Sequence, residues 1–264
     1  MRKNGLFSLL YHSLFIAFIV APLLVVVAVS FTGKGYISLP TDGLSLRWFR
    51  AIGDAHEIVD AFWLSLWLGL ASATIAVALA VPGALALTRY RFPGRGALMG
   101  FFMSPLMIPH VVLGVAFLRF FTTVGVSGSF FWLALTHVVV VMPYALRLVL
   151  AAATGLDRDA EHAALSLGAS RFTAFRRVVL PLILPGVAGG WMLAFIQSFD
   201  ELTMTVFVAT PGTTTLPVAM YNQIAQTIDP LVASVSTVLI FGTLVLMVLL
   251  DRIVGLDRVL IGKN

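Results

Sequence analysis

Residues 61–87 read AFWLSLWLGLASATIAVALAVPGALAL, a continuous apolar stretch without a charged side chain. A bilayer core about 30 Å thick needs roughly 20 apolar residues in a helix, so this stretch is long enough to cross a membrane. Because lipid cannot hydrogen-bond a loose backbone, a spanning segment of this kind is expected to be helical. The stretch therefore predicts a transmembrane helix.

The rest of the chain has the composition of an integral membrane protein. Of its 264 residues, 59% are hydrophobic and 11% are charged, and the mean hydropathy is +1.00. These values lie outside the range of soluble domains. Five further apolar runs predict an all-α bundle of six spans, because uniformly apolar runs do not match the alternation of a membrane barrel. The predicted spans are residues 9–31, 61–87, 97–121, 130–151, 183–208 and 231–250.

Six spans of this length leave no room for a separate catalytic domain, so we expect a single transmembrane domain over residues 1–264. The apolar run after the basic segment Met1–Asn4 is too long for a secretory signal peptide, and we interpret it as an uncleaved first helix. Proline residues within the spans are expected to kink them. These prolines are Pro22, Pro82, Pro105, Pro109 and Pro143.

The Lys and Arg residues are distributed unequally between the two sides of the predicted bundle. One side carries thirteen: Arg2, Lys3, Arg89, Arg91, Arg95, Arg147, Arg158, Arg171, Arg176, Arg177, Arg252, Arg258 and Lys263. The other side carries four: Lys34, Arg47, Arg50 and Arg119. Because positive residues are retained in the cytoplasm, both termini are predicted to be cytoplasmic. The external segments are then 32–60, 122–129 and 209–230.

The formal charge of +5 is explained by this membrane orientation, and nucleic acid is not expected as a partner. The chain contains no cysteine, which excludes disulfides and cysteine-ligated metals. In the first external segment, apolar residues alternate with arginines from Leu44 to Ile52, a pattern that fits either a short interfacial helix or a plain loop.

The longest predicted internal connection, residues 152–180, has the marks of two short helices. Asp157 or Asp159 can accept hydrogen bonds from the amides of a first turn. Gly168 can end that helix in a left-handed conformation, and Ser170 can cap the next helix. A small apolar stripe lies on the first helix: Ala160, Ala163, Ala164 and Leu167. Such a helix offers a compact surface to another protein, and a solvated loop is the alternative that the pattern leaves open.

Two short runs, one in this connection and one at its end, resemble a known family. AALSLGAS at 163–170, followed after a basic stretch by LPLILPG at 180–186, is similar to the signature of permease subunits of binding-protein-dependent ABC importers, written EAAxxxG with IxLP further on. The residues in register are Ala163, Ala164, Gly168, Leu180 and Pro181. The family usually has glutamate at the position of His162, whereas here Glu161 comes one residue earlier.

The resemblance implies a function for this connection, which we call the coupling segment. In that family the short helix docks in a cleft of the ATPase subunit and transmits the closing of the ATPase dimer to the membrane helices. The residues that the resemblance assigns to coupling are Glu161, His162, Ala163, Ala164, Gly168 and Pro181. The chain has no GxxxxGK[ST] phosphate loop, so ATP hydrolysis is expected in separate subunits and no enzymatic activity is expected here.

The likeness extends over most of the chain. The six-span layout, the prolines of the third span and the sequence SFDELTMTVFVATPGTTTLPVAMYNQI at 198–224 are similar to permeases of the spermidine/putrescine importer group. The resemblance implies a type I (MetI-like) six-helix permease in the bacterial inner membrane, without a cofactor. The implied partners are ABC ATPase subunits, a second and different permease chain, a periplasmic solute-binding protein and the lipid bilayer.

Asp200 and Glu201 form the one acidic pair within an apolar run. Carboxylates inside a membrane are costly and usually face protein or water, which favours a role in the solute pathway. On a helix, adjacent residues point in different directions, so one acid is expected to line the path. Gln197 lies one turn before Glu201 and is its expected polar companion. The acids could attract a cationic solute, or they could be structural carboxylates near a helix end.

Other functions are compatible with six spans alone. An ion-coupled secondary transporter would need internal repeats, which we do not find, and a membrane-embedded enzyme would need a catalytic constellation. A passive channel, or an importer of iron, thiamine, an opine or another organic cation, are further alternatives. We interpret His110 and His137 as packing or hydrogen-bonding residues, because lone histidines do not make a metal site.

Overall fold

The structure, a computed structural model, describes residues 5–40, 43–227 and 229–254. Within these ranges all regular secondary structure is helical, as the sequence predicts. The helices are α1 (Leu6–Ser30), α2 (Arg47–Asp54), α3 (His56–Arg89), α4 (Arg95–Met103), α5 (His110–Val124), α6 (Phe130–Thr154), α7 (Asp159–Ser166), α8 (Arg171–Ala174), α9 (Leu180–Phe199), α10 (Thr205–Val208), α11 (Leu216–Gln226) and α12 (Leu231–Val254).

The long helices follow the predicted apolar runs. In the described part of the chain, four helical stretches are long and apolar enough to cross a membrane: Phe7–Ser30, His56–Arg89, Phe130–Thr154 and Arg171–Phe199. A bent pair, Arg95–Leu106 with His110–Val124, meets the same test when its parts are taken together, and Leu231–Val245 is a shorter apolar helix. The chain is therefore a multi-pass, all-α membrane protein.

The described residues divide into two compact units. The first comprises those of Met1–Asp60 and Ala219–Leu249, and the second those of Ala61–Val218 and Leu250–Asn264. In the first unit, α2 forms where the sequence allowed either an interfacial helix or a loop. The indole of Trp48 on α2 donates to the carbonyl of Lys34 at 3.1 Å, and Phe49 packs on Phe31. These contacts fix α2 against the segment that leaves α1.

The second unit has α6 at its centre, with α9 packed directly on it. The two backbones approach closely because α9 carries glycines on the contacting face. A Cβ added at Gly190 would lie 3.1 Å from the carbonyl oxygen of Ala145, and one at Gly186 would lie 2.4 Å from the Cβ of Ala152. Small residues give membrane helices this kind of close contact, which compensates for the absence of a hydrophobic driving force between them.

The third predicted span, 97–121, is not one straight helix. A 3₁₀ turn at Ser104–Leu106 follows α4, and α5 starts at His110, with an angle of 97° between the two parts. Pro105 lies in the turn and Pro109 immediately precedes α5. Each proline lacks an amide hydrogen and disfavours a helical conformation in the residue before it. The expected kink is therefore a complete break.

The fifth predicted span, 183–208, differs from the structure at both ends. Helical structure begins earlier, at Arg171, and passes through a π-helical segment, Phe175–Val179, into α9. It ends at Phe199, and a loop separates α9 from the short helix α10. The prediction that Asp200 and Glu201 occupy adjacent positions on a helix is therefore wrong.

Candidate functional site

The turn at the end of α7 folds as its local sequence predicts, whereas the second of the two expected short helices is the start of the continuous helix Arg171–Phe199. α7 ends at Ser166, and Gly168 follows with a φ of 87°. The amide of Gly168 donates to the carbonyl of Leu165, and the amide of Ala169 donates to that of Ala164. This pair of bonds is the Schellman motif, which favours glycine at the left-handed position. Ser170 then caps the next helix by accepting a hydrogen bond from the amide of Thr173 at 3.2 Å.

The residues assigned to coupling by sequence do not share one environment. His162, Ala163, Gly168 and Pro181 are exposed, and Ala164 is half-buried. Glu161 differs from them because its side chain is only 16% exposed. Two large apolar side chains beside α7 are prominent on the surface, Leu167 at 89% exposure and Phe172 at 70%. Leu167 belongs to the predicted apolar stripe, whereas Phe172 lies outside it and was not singled out by the sequence.

Glu161 is engaged with the last turn of α3. One guanidinium nitrogen of Arg89, Nη1, donates to Glu161 Oε1 at 2.9 Å. The other, Nη2, lies 2.6 Å from Glu161 Oε2 but is not aligned for a hydrogen bond, so this second contact is purely ionic. In the opposite direction, Arg158 Nη2 donates to the carbonyl of Thr88 at 2.9 Å. The start of α7 is thus joined to the end of α3 at two points.

The acidic pair lies at the break after α9. Asp200 is the residue that follows the last helical turn and is exposed, whereas Glu201 is only 7% exposed. The Oε1 atom of Glu201 accepts the amide of Met204 at 2.7 Å, and its Oε2 atom lies 2.7 Å from Nδ1 of His110. The two acids therefore have different surroundings: Asp200 is exposed at the end of α9, whereas Glu201 accepts a backbone amide of the turn that follows.

Gln197 was predicted as the polar companion of Glu201 and does not take that place. Its side chain is half-buried, and Glu201 bonds to His110 and Met204 within the described part of the chain. Sequence reasoning set His110 aside as a lone histidine. The position of His110 directly after Pro109 could have indicated a role, because the first residue of a helix that starts after a proline lies beside the break in the span.

A second histidine, on another helix, contacts the break after α9. His137, on α6, is fully buried; its Nδ1 lies 2.8 Å from the hydroxyl of Ser198, and its Nε2 lies 3.0 Å from that of Thr205. Ser198 precedes the break and Thr205 follows it, so one imidazole bridges its two sides. The interpretation of His137 as a hydrogen-bonding residue agrees with this geometry.

Backbone packing adds to these side-chain contacts. A Cβ added at Gly114 on α5 would meet the ring of Phe207 at 2.7 Å and the carbonyl oxygen of Met204 at 2.9 Å. Gly114 lies one turn after His110, so the same face of α5 contacts the break twice. Among the described residues, no group of three or more His, Cys, Asp or Glu side chains is arranged to hold a metal ion.

Known proteins resemble this chain along most of its length. Two relatives share the name spermidine/putrescine transport system permease protein PotC. The protein of Escherichia coli (strain K12) is 29% identical over 98% of this chain and 95% of its own length. That of Haemophilus influenzae is 32% identical over 94% of each chain. Among solved structures, a bacterial ABC transporter involved in the import of alginate superposes with a TM-score of 0.76, at 14% identity, over 96% of this chain and 98% of the other.

The family match covers the part of the chain that contains these sites. Residues 78–256 match the family described as the binding-protein-dependent transport system inner membrane component. This range includes the coupling segment, both histidines and the break after α9. The chain belongs to the family of binding-protein-dependent transport system inner membrane components.

Proposed function

We propose that this chain is one permease subunit of an ATP-driven importer that moves a polyamine, such as spermidine or putrescine, or a related organic cation across the bacterial inner membrane. The observation that carries the proposal is the exposed helix α7, whose start is joined to α3, with Leu167 exposed at its end and Phe172 exposed at the start of the next helix. A short surface helix with an apolar end and a firm attachment to spanning helices is suited to being moved by another protein.

The proposed topology has six spans within one permease domain over residues 1–264. The four long helices, the bent pair and α12 supply six elements in the predicted order. The excess of Lys and Arg around the coupling segment supports a cytoplasmic location for it and for both termini. Of the thirteen Lys and Arg residues on that side, four lie outside the described residues: Arg2, Lys3, Arg258 and Lys263.

The proposed partners follow from the family and from what this chain lacks. Without a phosphate loop, the chain needs separate ATPase subunits, and α7 is the surface we assign to them. A second, different permease chain would complete the pathway, and a periplasmic binding protein would deliver the solute. The alginate transporter supports the fold alone, whereas the two PotC proteins are the relatives whose names support a polyamine.

Within the coupling segment, the proposed contact with the ATPase is made by the exposed groups. His162 and Ala163 offer a polar group and a small side chain on the surface of α7. Leu167 and Phe172 offer apolar area that would be removed from water on docking. Gly168 has a structural role, since its left-handed conformation sets the direction in which the chain leaves α7. Pro181, directly after the coupling segment, lies in the first turn of α9, where the segment joins the span.

In the pathway, we assign the attraction of a cation to Asp200. We assign to Glu201 a structural role at the break after α9. Asp200 is exposed and lies at the carboxyl end of α9, where the free carbonyls add partial negative charge. Both carboxylate oxygens of Glu201 are already engaged, one by His110 and the other by the amide of Met204. A solute ammonium group would therefore meet Asp200 first.

Charge-neutral variants separate these roles. Asp200→Asn is expected to raise the KM for spermidine uptake several-fold without changing the amount of assembled complex. Glu201→Gln is expected to lower the amount of assembled, active complex. Asp54→Asn removes an exposed carboxylate in the proposed external segment 32–60 and serves as the matched control. An unchanged KM for Asp200→Asn, or an equal increase for Asp54→Asn, would contradict the assignment.

The importer proposal itself is tested by purification and uptake. The full-length tagged chain is isolated from native membranes in a mild detergent, and uptake of radiolabelled spermidine and putrescine is compared in cells with and without the chain. We expect an ATPase subunit to co-purify and uptake to depend on ATP. Absence of an ATPase subunit, with uptake abolished by a protonophore alone, would favour the ion-coupled alternative and refute the proposal.

A further inference from the structure

The end of α3 and the start of α7 are joined by two contacts, one donated from each side. Arg89 of α3 reaches the carboxylate of Glu161 on α7, and Arg158, just before α7, reaches the carbonyl of Thr88 on α3. We call these the α3–α7 contact pair. The residues involved are separated by about 70 positions in sequence, so the contacts join segments that the chain itself does not connect closely.

The Arg89–Glu161 contact is less open to water than an ordinary surface ion pair. The two side chains are only 22% and 16% exposed, so water screens the charges less than at an open surface. Arg89 also lies in the last turn of α3, where the helix dipole favours a cation. Arg158 is exposed, and its contact is the weaker of the two, but it satisfies a carbonyl at the same helix end.

The covalent chain attaches α7 to two other spanning helices. Four residues, Gly155 to Arg158, connect it to α6, and the turn at Gly168 connects it to the continuous helix Arg171–Phe199. With the α3–α7 contact pair, α7 is attached to three spanning helices. A displacement of α7 would therefore be delivered to α3 as well as to its two neighbours in sequence.

We propose that the α3–α7 contact pair transmits the movement of the coupling segment to α3, with Glu161 acting as a positioning residue that holds α7 to the membrane bundle. This inference rests on the proposed importer function. It assigns Glu161 an intramolecular partner and leaves the exposed His162 as the polar group that faces the ATPase. The family signature usually has glutamate at the position of His162. Here the neighbouring Glu161 contacts Arg89 instead.

A contact that only stabilises the fold would give a different result from one that transmits movement. Loss of stability lowers the amount of complex, and it lowers ATP hydrolysis and transport together. Loss of transmission leaves basal ATP hydrolysis per complex intact, whereas the stimulation by loaded binding protein and the solute transported per ATP both fall. The ratio of transport to hydrolysis is therefore the informative measurement.

The experiment uses the whole importer, reconstituted in proteoliposomes with its binding protein and radiolabelled spermidine. Arg89→Glu and Glu161→Arg are each expected to reduce transport per ATP about fivefold, a size typical of coupling between sites. The double reversal Arg89→Glu with Glu161→Arg restores the ion pair in the opposite sense and is expected to recover most of that loss. Arg91→Glu, which reverses an exposed charge two residues from Arg89, is the matched control and should match wild type.

Several results would overturn the inference. Single reversals that keep the wild-type ratio of transport to ATP hydrolysis would do so. A double reversal whose loss of transport per ATP equals the combined losses of the two single reversals would also do so. If a single reversal prevents assembly, the double reversal decides: recovery of assembly and coupling supports the contact pair, and continued failure refutes it. A wild-type complex that shows no stimulation by its binding protein would refute the proposed function, and this inference with it.

Discussion

The contact between α6 and α9 depends on Gly186, and replacing this residue with alanine is the strongest single test of the packing. The added methyl carbon would lie 2.4 Å from the Cβ of Ala152 and 2.9 Å from the carbonyl oxygen of Leu148. Carbon atoms in contact are normally about 3.5 to 4.0 Å apart, so the helices would have to separate locally by about 1 Å.

The size of the effect follows from what surrounds the new methyl group. Ala152 has no rotamer to change, and the carbonyl of Leu148 is part of a helix backbone, so neither neighbour can move aside cheaply. Overpacking of a close-packed interior typically costs about 1–3 kcal/mol. Because α6 and α9 also meet one turn further on, at Gly190, we expect Gly186→Ala to lie in the upper part of that range, at about 2–3 kcal/mol of unfolding free energy.

The measurement is the unfolding of the purified complex in nanodiscs, followed by tryptophan fluorescence. Gly189→Ala is the control, because a Cβ there would lie 3.7 Å from the flexible end of Leu148, and alanine is the better helix former. Adding Ala152→Gly to Gly186→Ala removes the shorter of the two close contacts and should recover part of the lost stability. Equal stability of the Gly186 and Gly189 variants would refute the packing argument.

Three further substitutions test other parts of the structure. Gly168→Val puts a β-branched residue at a φ of 87°, which costs about 1–3 kcal/mol, so ATPase stimulation by binding protein should fall; Gly155→Val, at a φ of −79°, should keep wild-type stimulation. His137→Leu leaves two buried hydroxyls unpaired and should lower unfolding free energy by about 2 kcal/mol or more, so an unchanged unfolding curve would contradict the bridge. Gly114→Ala should destabilise by about 1–3 kcal/mol in the same unfolding measurement, whereas Gly100→Ala, in open space, should not.

Local sequence signals predicted the features that depend on neighbouring residues. The long apolar runs predicted helices, and the glycine at 168 and the serine at 170 predicted where α7 ends and the next helix is capped. These predictions succeed because a left-handed glycine or a capping hydroxyl acts within one turn of its own position. The prolines of the third span indicated a kink for the same reason, although they could not give its angle.

The contacts that define the candidate sites could not be predicted in this way. The carboxylate of Glu201 meets His110, and that of Glu161 meets Arg89, across separations of 91 and 72 positions. Neither pairing has a spacing that a single helix or turn would bring together. Treating Asp200 as a helical residue was the related error, since apolar composition continues past Phe199 while the helix does not.

The π-helical segment Phe175–Val179 makes the length of the chain at this point as important as its composition. A π-helical turn holds one residue more than an α-helical turn, so it offsets the faces of the helix on either side by about 100°. Deleting one residue here would restore a regular α-helix but rotate everything before it. Ala174, now almost fully buried, would leave its contacts, and Phe172 would change the direction in which it faces. A one-residue deletion is therefore expected to do more harm in this segment than most substitutions, because it would misalign α7 with the span that follows.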